Sequence, residues 1–543
     1  MYRRRKNEAL HSWKRVCMYG KGVFGIMKYN VKLLFVFSLV VCMMFAGAGI
    51  SSASGGILRV AVIDEPPSLD QQVITADLTT MIAMHIFEGL YTFDSNYAPV
   101  PMLVQDEEIK NDGKLIVLRL REGVKFHNGK EMTSEDVFAS LDRWSKFGTR
   151  GPVLFNNIDK MEATGKYEIT LHFKQPFAPW KNLMAFMNGG PAIYLKEVAE
   201  KAEKAPIAET EYIGTGPYKF VERNPSRYIK LARFDDYVSR TEPSDGYAGK
   251  KEALFDEIRF IPVPDDSTRV TGVKAGDYDY GERIAGDLYD TLKDDPDLVI
   301  TVQQGGSQGL VFVNSRQGIL KDNFKLRQAL LMAIDMEGAL KAAIGPEALW
   351  KKDGSIMPEG TLWHTTVGTE RYSQGNAEKA KALAKEAGYN GEKISYLATT
   401  SYKVHYDSSL VITEQLKQAG FNIDFQIYDW ATLVSKRADP TQWDMFFTYH
   451  GFVPDPVLFT FMSEAYPGWW TTPEKKELAA KFAMTLDEKE RRNIWDQIQK
   501  LVYEQVPIMK TGVNFMYDVY SPRLKGLEDT SLIWARFWGV SFK

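Results

Sequence analysis

Cysteine is almost absent from this chain. Only two of its 543 residues are cysteine, Cys17 and Cys42. Both fall in an N-terminal stretch that reads as an export signal. The rest of the chain therefore needs no disulfide and has no thiol for catalysis or for a cysteine-based metal site. Net charge is also lacking: 67 Lys and Arg against 70 Asp and Glu leave −3. That balance favours neither nucleic acid nor an anionic membrane surface as partner. The seven histidines are scattered, and no two have the helical spacing of metal ligands. No metal and no cofactor is expected. A Walker-type phosphate loop, internal repeats and low-complexity linkers are all missing. The apolar run Leu33–Phe45 is shorter than the ~20 residues a membrane span needs.

That run has informative flanks. Arg3, Arg4, Arg5, Lys6, Lys14, Arg15, Lys21, Lys28 and Lys32 precede it, and small residues from Ala46 to Ser54 follow. Basic, apolar, then small is the order of a secretory signal. Cleavage is expected after Ala53, with a cut after Ala48 as the alternative and Met27 as an alternative start. An uncleaved anchor is the rival reading. The mature chain is expected to be a soluble periplasmic monomer.

The length allows two to four domains or two large lobes, at ~100–200 residues per domain. Leu58–Ile63, Leu115–Leu120, 167–173, Leu298–Val302 and Leu310–Val313 read as strands. Thr79–Leu90 reads as a helix. Thr133-Ser134-Glu135-Asp136 has the form of a capping box that opens another helix. In the second half, Leu326, Ala329, Leu330 and Ala333 share a helix face. The helices over Ala377–Ala387 and Leu410–Ala419 each end at a glycine, and Ile423, Phe425 and Ile427 then alternate as a strand does. Such repeats suggest α/β layers.

Two motifs match catalytic patterns by letter and fail by context. Gly20-Lys21-Gly22-Val23-Phe24-Gly25 fits a dinucleotide fingerprint, but no strand precedes it. Gly305-Gly306-Ser307-Gln308-Gly309 fits a nucleophile elbow, which must lead into a helix; here the strand-like Leu310–Val313 follows. His127, in a turn, and His172, in a strand, are expected to be structural. An exported hydrolase using paired carboxylates or Ser307 remains the alternative function. The scarcity of catalytic signatures favours binding.

An ordered set of segments carries a family resemblance. It runs from Glu65-Pro66-Pro67-Ser68-Leu69-Asp70 through Ile86-Phe87-Glu88-Gly89-Leu90-Tyr91 to Leu118–Gly129. It continues with Thr133–Val137, Gly214-Thr215-Gly216-Pro217-Tyr218, Leu326–Leu330, Ala333-Ile334-Asp335 and Ala380–Tyr389. Pro507-Ile508 and Arg523–Gly526 close it. The chain resembles the extracellular solute-binding family 5, the peptide- and nickel-binding type, over almost its whole mature length. The resemblance implies an α/β, periplasmic-binding-protein-like fold of class II. Two α/β lobes would join at a hinge, with an additional subdomain on lobe I. Lobe I would comprise 56–96, 211–303 and 510–543, the subdomain 97–210, and lobe II 304–509. It implies a small-molecule ligand enclosed between the lobes and delivered to ABC transporter permease subunits at the membrane.

The resemblance also implies site residues. Thr75 matches a threonine that reaches the ligand in dipeptide binders. Gly305, Gly306 and Ser307 match the bend entering lobe II. Tyr402 lies near a tyrosine used against the ligand, and Trp430 and Tyr449 match pocket tryptophans of oligopeptide binders. Trp363 is a further aromatic candidate. The departures are at the charges. Phe452 stands where those binders place the aspartate that anchors an ammonium, three residues before the Asp455-Pro456 pair. The carboxylate-clamping arginine has no match between Ala398 and Asp407, although Lys403 is near. A buried ammonium without a carboxylate is costly, so a free dipeptide is a poor fit. Tyr402, Tyr449, His450 and Phe452 suggest a ligand held by rings and hydrogen bonds: a sugar, a glycoside, an opine-like conjugate or a modified peptide. Asp455 is either an alternative anchor or a turn carboxylate capping the next helix.

Overall fold

Leu310-Val311-Phe312-Val313 is an unbroken apolar run, the pattern of a strand buried on both faces. The computed structural model describes residues 55–303, 305–527 and 532–543. In it the run belongs to the strand Ser307–Val313. Leu310 and Phe312 enter one core with Leu397 and Phe446. Val311 and Val313 enter another with Tyr396, Met445 and Phe447. The six-stranded sheet between these cores has the order Trp350–Lys351, Ile508–Asn514, Ser307–Val313, Met445–His450, Ile394–Thr399, Ile423–Tyr428.

The seven-stranded sheet has the order Val299–Val302, Tyr517–Tyr520, Tyr280–Ile284, Ile57–Val62, Glu257–Pro262, Tyr228–Arg233, Tyr218–Asn224. Ile57–Val62 runs parallel to both neighbours, and its outer partners pair antiparallel. Helices cover both mixed sheets, which makes two α/β lobes. The chain leaves the first sheet after Val302 and enters the second at Ser307. The return differs from the expected boundary at Lys510. Ile508 and Met509 register with Phe312 and Val311, and pairing continues to Asn514. The crossing back therefore lies between Asn514 and Tyr517.

A four-stranded antiparallel sheet, Val104–Lys110, Leu115–Leu120, Glu168–Phe173 and Ile158–Gly165, falls within the stretch expected as the subdomain. Its Leu118 and Ile169 share one continuous core with Val60, Ile86 and Phe260 of the first lobe. The capping box forms as read: Thr133 caps the helix Ser134–Phe147, and Asp136 accepts from the Thr133 N–H.

Polar residues of the segments that carry the resemblance serve as internal ties. Asp70 is fully buried. It accepts from Arg143 (2.6 Å), the Tyr194 hydroxyl (2.8 Å) and the Ile207 N–H (3.0 Å). Glu88 accepts from Thr215, Tyr237 and Lys251. His127 lies against Gly214 and Gly216 through both ring nitrogens. These contacts also explain why the helix expected over Thr79–Leu90 stops at Ala83. The carbonyls of His85 and Ile86 are taken by Tyr218 N–H and Gly216 N–H at 3.0 and 2.9 Å. A Cβ at Gly214 or Gly216 would stand 2.0 Å from the Ile86 carbonyl or 2.5 Å from that of His85. Only glycine lets the two segments meet.

The export signal, the Gly20–Gly25 motif and both cysteines lie outside the described residues. Among the described residues no helix is long and apolar enough to cross a membrane.

Candidate functional site

The bend Gly305-Gly306-Ser307 sits beside the returning segment. A Cβ on Gly306 would lie 2.2 Å from the Asn514 carbonyl, so its lack of a side chain lets the two crossings touch. A cavity of about 370 Å³ opens beside them, with room for about a dozen waters. Its first-lobe wall includes Thr75, Asp77, Arg150, Asn188, Arg283 and Trp534. Its second-lobe wall includes Gly306, Ser307, His450, Phe452 and Thr460. Thr75, Gly306, Ser307, His450 and Phe452 were anticipated from the sequence. Asp77, Arg150, Asn188, Arg283 and Trp534 were not.

The walls carry their own polar order. Asp77 opens the helix Asp77–Ala83. Its carboxylate accepts from Arg283 Nη2 at 2.6 Å and Trp534 Nε1 at 3.0 Å. Asn188 Nδ2 donates to the Thr75 carbonyl at 2.9 Å, and the Asn188 carbonyl accepts from Arg150 Nε at 2.8 Å. The Arg150 guanidinium lies 4.6 Å from the centre of the Phe186 ring. Burial lowers its pKa to about 10, so it is charged at neutral pH. His450 lies 3.1 Å from Thr460 Oγ1 and 3.3 Å from the Tyr466 hydroxyl. Burial, reinforced by the Arg437 charge, lowers its pKa to about 4; it is a neutral ring. Phe452 is buried and packs on Tyr97 of the first lobe with ring centres 4.4 Å apart.

A second cavity of about 780 Å³ shares Arg283 and Met516 with the first and reaches Tyr402 and Lys403. Tyr402 is 48% exposed there. Its ring meets His405 at 5.0 Å and Trp430 at 5.4 Å. His405 meets Tyr449 at 5.1 Å, and Tyr449 is held by Ser408 at 3.3 Å. Three ring candidates thus form one cluster around a histidine that the sequence reading left unassigned. The His405 Nδ1 atom is buried without a hydrogen-bond partner, and burial lowers the ring's pKa to about 4.

Two candidates lie elsewhere. Trp363 is buried in the second lobe's core against Phe482 and the Arg491 guanidinium. Asp455 is fully buried, pairs with Arg491 at 2.9 Å, and accepts from Asn182 Nδ2 at 2.9 Å. Its other oxygen accepts from the Val457 N–H at 2.9 Å and caps the turn Pro456–Leu458. The capping alternative describes its contacts, and Asp455 is not among the residues that line either cavity.

Ser307 begins a strand and not a helix, so the nucleophile elbow is absent. Among the described residues no cluster of three His, Cys, Asp or Glu side chains could hold a metal ion.

The family profile "Bacterial extracellular solute-binding proteins, family 5 Middle" matches residues 98–469. The probable peptide ABC transporter periplasmic-binding protein y4tO of Sinorhizobium fredii is 30% identical over 482 residues, covering 85% of this chain and 90% of that protein. Among solved structures, the periplasmic binding protein DppA of Helicobacter pylori, in complex with peptide STSA, aligns at a TM-score of 0.71 and 21% identity. The alignment covers 90% of this chain and 98% of that one. AgaA of A. tumefaciens R10, in complex with agropinic acid, aligns at 0.67 and 23% identity over 88% of this chain and 97% of that one. These structures share the two-lobed periplasmic-binding-protein-like fold.

Proposed function

The chain belongs to the bacterial extracellular solute-binding proteins of family 5, and from that premise we propose that it captures a small organic solute between its two lobes and hands it to an ABC permease. It is a transport component and not an enzyme. The observation that carries the reading is the composition of the cavity wall. Thr75, Arg150 and Asn188 come from one lobe, and Ser307, His450 and Phe452 from the other. A ligand that touches both walls gains contacts only when the lobes meet, so binding biases the lobe–lobe equilibrium. The permease can then distinguish loaded from empty protein by shape.

The ligand class follows from the wall and from the relatives. One relative is named for peptides, and two aligned structures hold a peptide and agropinic acid. Phe452 replaces an ammonium anchor with a ring. Asp77, the one carboxylate of the wall among the described residues, is already engaged by Arg283 and Trp534. A peptide-like molecule or a conjugate without a free ammonium suits this wall better than a zwitterionic dipeptide. Tyr402, Trp430 and Tyr449 are proposed to receive the ligand's far end through the second cavity. Export through the N-terminal signal and action as a periplasmic monomer complete the reading.

Native mass spectrometry of freshly purified mature protein tests it. One bound small molecule per chain, unaltered on incubation, is the expected result. Turnover of that molecule would count against it. So would the absence of ligand-dependent compaction in small-angle scattering.

A further inference from the structure

Three charged side chains line the first cavity among the described residues: Asp77, Arg150 and Arg283. Asp77 and Arg283 neutralise each other at 2.6 Å. Arg150 has no such partner. Its Nε is satisfied by the Asn188 carbonyl, its guanidinium rests on Phe186, and no acid opposes the burial that lowers its pKa. Its two Nη atoms are not among the side-chain nitrogens sealed off without a partner, so they remain open to solvent on a residue that lines the cavity. Among the described residues, the wall is therefore left with one positive charge that no acid meets. Gly189, at φ +70°, keeps this corner open: a Cβ there would press on Thr75 at 3.1 Å and Thr149 at 3.4 Å.

We propose that Arg150 is the ligand's anion anchor, and that the solute is a monoanionic carboxylic acid whose carboxylate docks on the Arg150 fork. This deepens the binding reading above and rests on it. A guanidinium held by Nε presents its two Nη donors as a pair that matches a carboxylate. A buried unpaired charge is unfavourable, and an anionic ligand relieves that. A phosphate dianion would bring more charge than one free guanidinium balances. The anchor sits in the first lobe, opposite the second-lobe position where Phe452 stands.

The test uses refolded, ligand-free mature protein and a panel of N-acylated dipeptides and sugar acids, each paired with its amide. Binding is read by thermal shift and calorimetry. The acids are expected to bind and their amides not. Arg150→Met should weaken acid binding by about 30-fold or more. Arg150→Lys, which keeps the charge and loses the fork, should fall between. The melting temperature of ligand-free Arg150→Met should be unchanged or raised, because an unpaired charge has left the cavity wall. A merely structural arginine would instead lower it. Equal binding of acid and amide, or acid binding retained in Arg150→Met, overturns the anchor and leaves the binding reading standing. If no acid binds wild type while native mass spectrometry finds a bound solute, the anchor is overturned and the binding reading stands; if no solute is found either, both are overturned.

Discussion

Asp455→Ala separates two roles that the sequence left open for this residue. In the structure both its oxygens are committed. They accept from Arg491 at 2.9 and 3.1 Å, from Asn182 at 2.9 Å and from the Val457 N–H at 2.9 Å. The paired side chains are 0% and 6% exposed. Arg491 is otherwise bound through Nε to the Phe482 carbonyl and lies over the rings of Phe482 and Trp363. Removing the carboxylate strands that guanidinium in an aromatic core. Breaking a buried pair from one side costs about 3–5 kcal/mol, and losing the cap adds to the same local disruption without simple additivity. A loss of about 4 kcal/mol is expected, equivalent to roughly 8–16 °C for a lobe of this size. Tryptophan emission during urea and thermal unfolding reports on it, because Trp363, Trp443, Trp469, Trp470 and Trp495 pack in the second lobe. The double variant Asp455→Leu/Arg491→Met should recover most of the loss, since it leaves no stranded charge. Ligand affinity, measured well below the melting temperature, should change less than about tenfold, because no Asp455 oxygen is spare and a single hydrogen bond, from Asn182, ties it to the first lobe. A stability loss under about 1 kcal/mol, or a double variant worse than the single, would refute the pairing argument. An affinity loss above about tenfold would restore Asp455 as a ligand anchor.

Gly306→Ala would place a Cβ 2.2 Å from the Asn514 carbonyl and 2.8 Å from Phe515; a loss of about 1–3 kcal/mol in thermal unfolding is expected, and an unchanged midpoint would contradict the close crossing. Phe452→Ala removes the ring that meets Tyr97 across the lobes; the ligand-free radius of gyration should rise and ligand affinity should fall roughly 10- to 100-fold, by a few kcal/mol, whereas unaltered scattering would rule out a lobe–lobe role. Burial lowers the pKa of His85 to about 3 and of His127, His405 and His450 to about 4. The unfolded chain then binds protons that the folded chain does not, so stability present above pH ~6.5 is lost as pH falls toward 4, by up to about 1.4 kcal/mol per unit for each ring. The urea midpoint should drop between pH 7 and pH 5, and a flat profile would contradict the burial of these rings.

Much of the local structure was legible because short-range physics decides it. The capping box at Thr133, the glycine-terminated helices and the alternation over Ile423–Tyr428 depend on neighbours within a few residues. The errors fall where distant segments compete for backbone groups. The helix after Thr79 ends early because Gly216 and Tyr218, over a hundred positions away, take the His85 and Ile86 carbonyls. The return crossing moved past Asn514 because Ile508–Asn514 completes the second sheet's ladder. No local pattern distinguishes a strand of one lobe from a strand of the other.

The cavity was harder to read for the same reason, carried further. Its wall draws on stretches near Thr75, Arg150, Asn188, Arg283, Ser307, His450, Met516 and Trp534, so no spacing rule links its members. Likeness to dipeptide binders bears only on the second-lobe positions, where Phe452 stands and no arginine matches, and those positions alone point to rings and hydrogen bonds. The charge is instead in the first lobe, on a loop residue between the helix end at Phe147 and Gly151-Pro152. Nothing in Gly148-Thr149-Arg150-Gly151 marks that arginine as functional; any surface loop could carry it. What marks it is a three-dimensional deficit: among the described residues, the other two charges on the wall pair with each other, and this one has no acid beside it. An aromatic second-lobe wall and a cationic first-lobe corner are complementary halves of one design. A ring or acyl body packed on His450 and Phe452, with its acid turned to Arg150, engages both lobes at once, which a ligand held by rings on one side would not do.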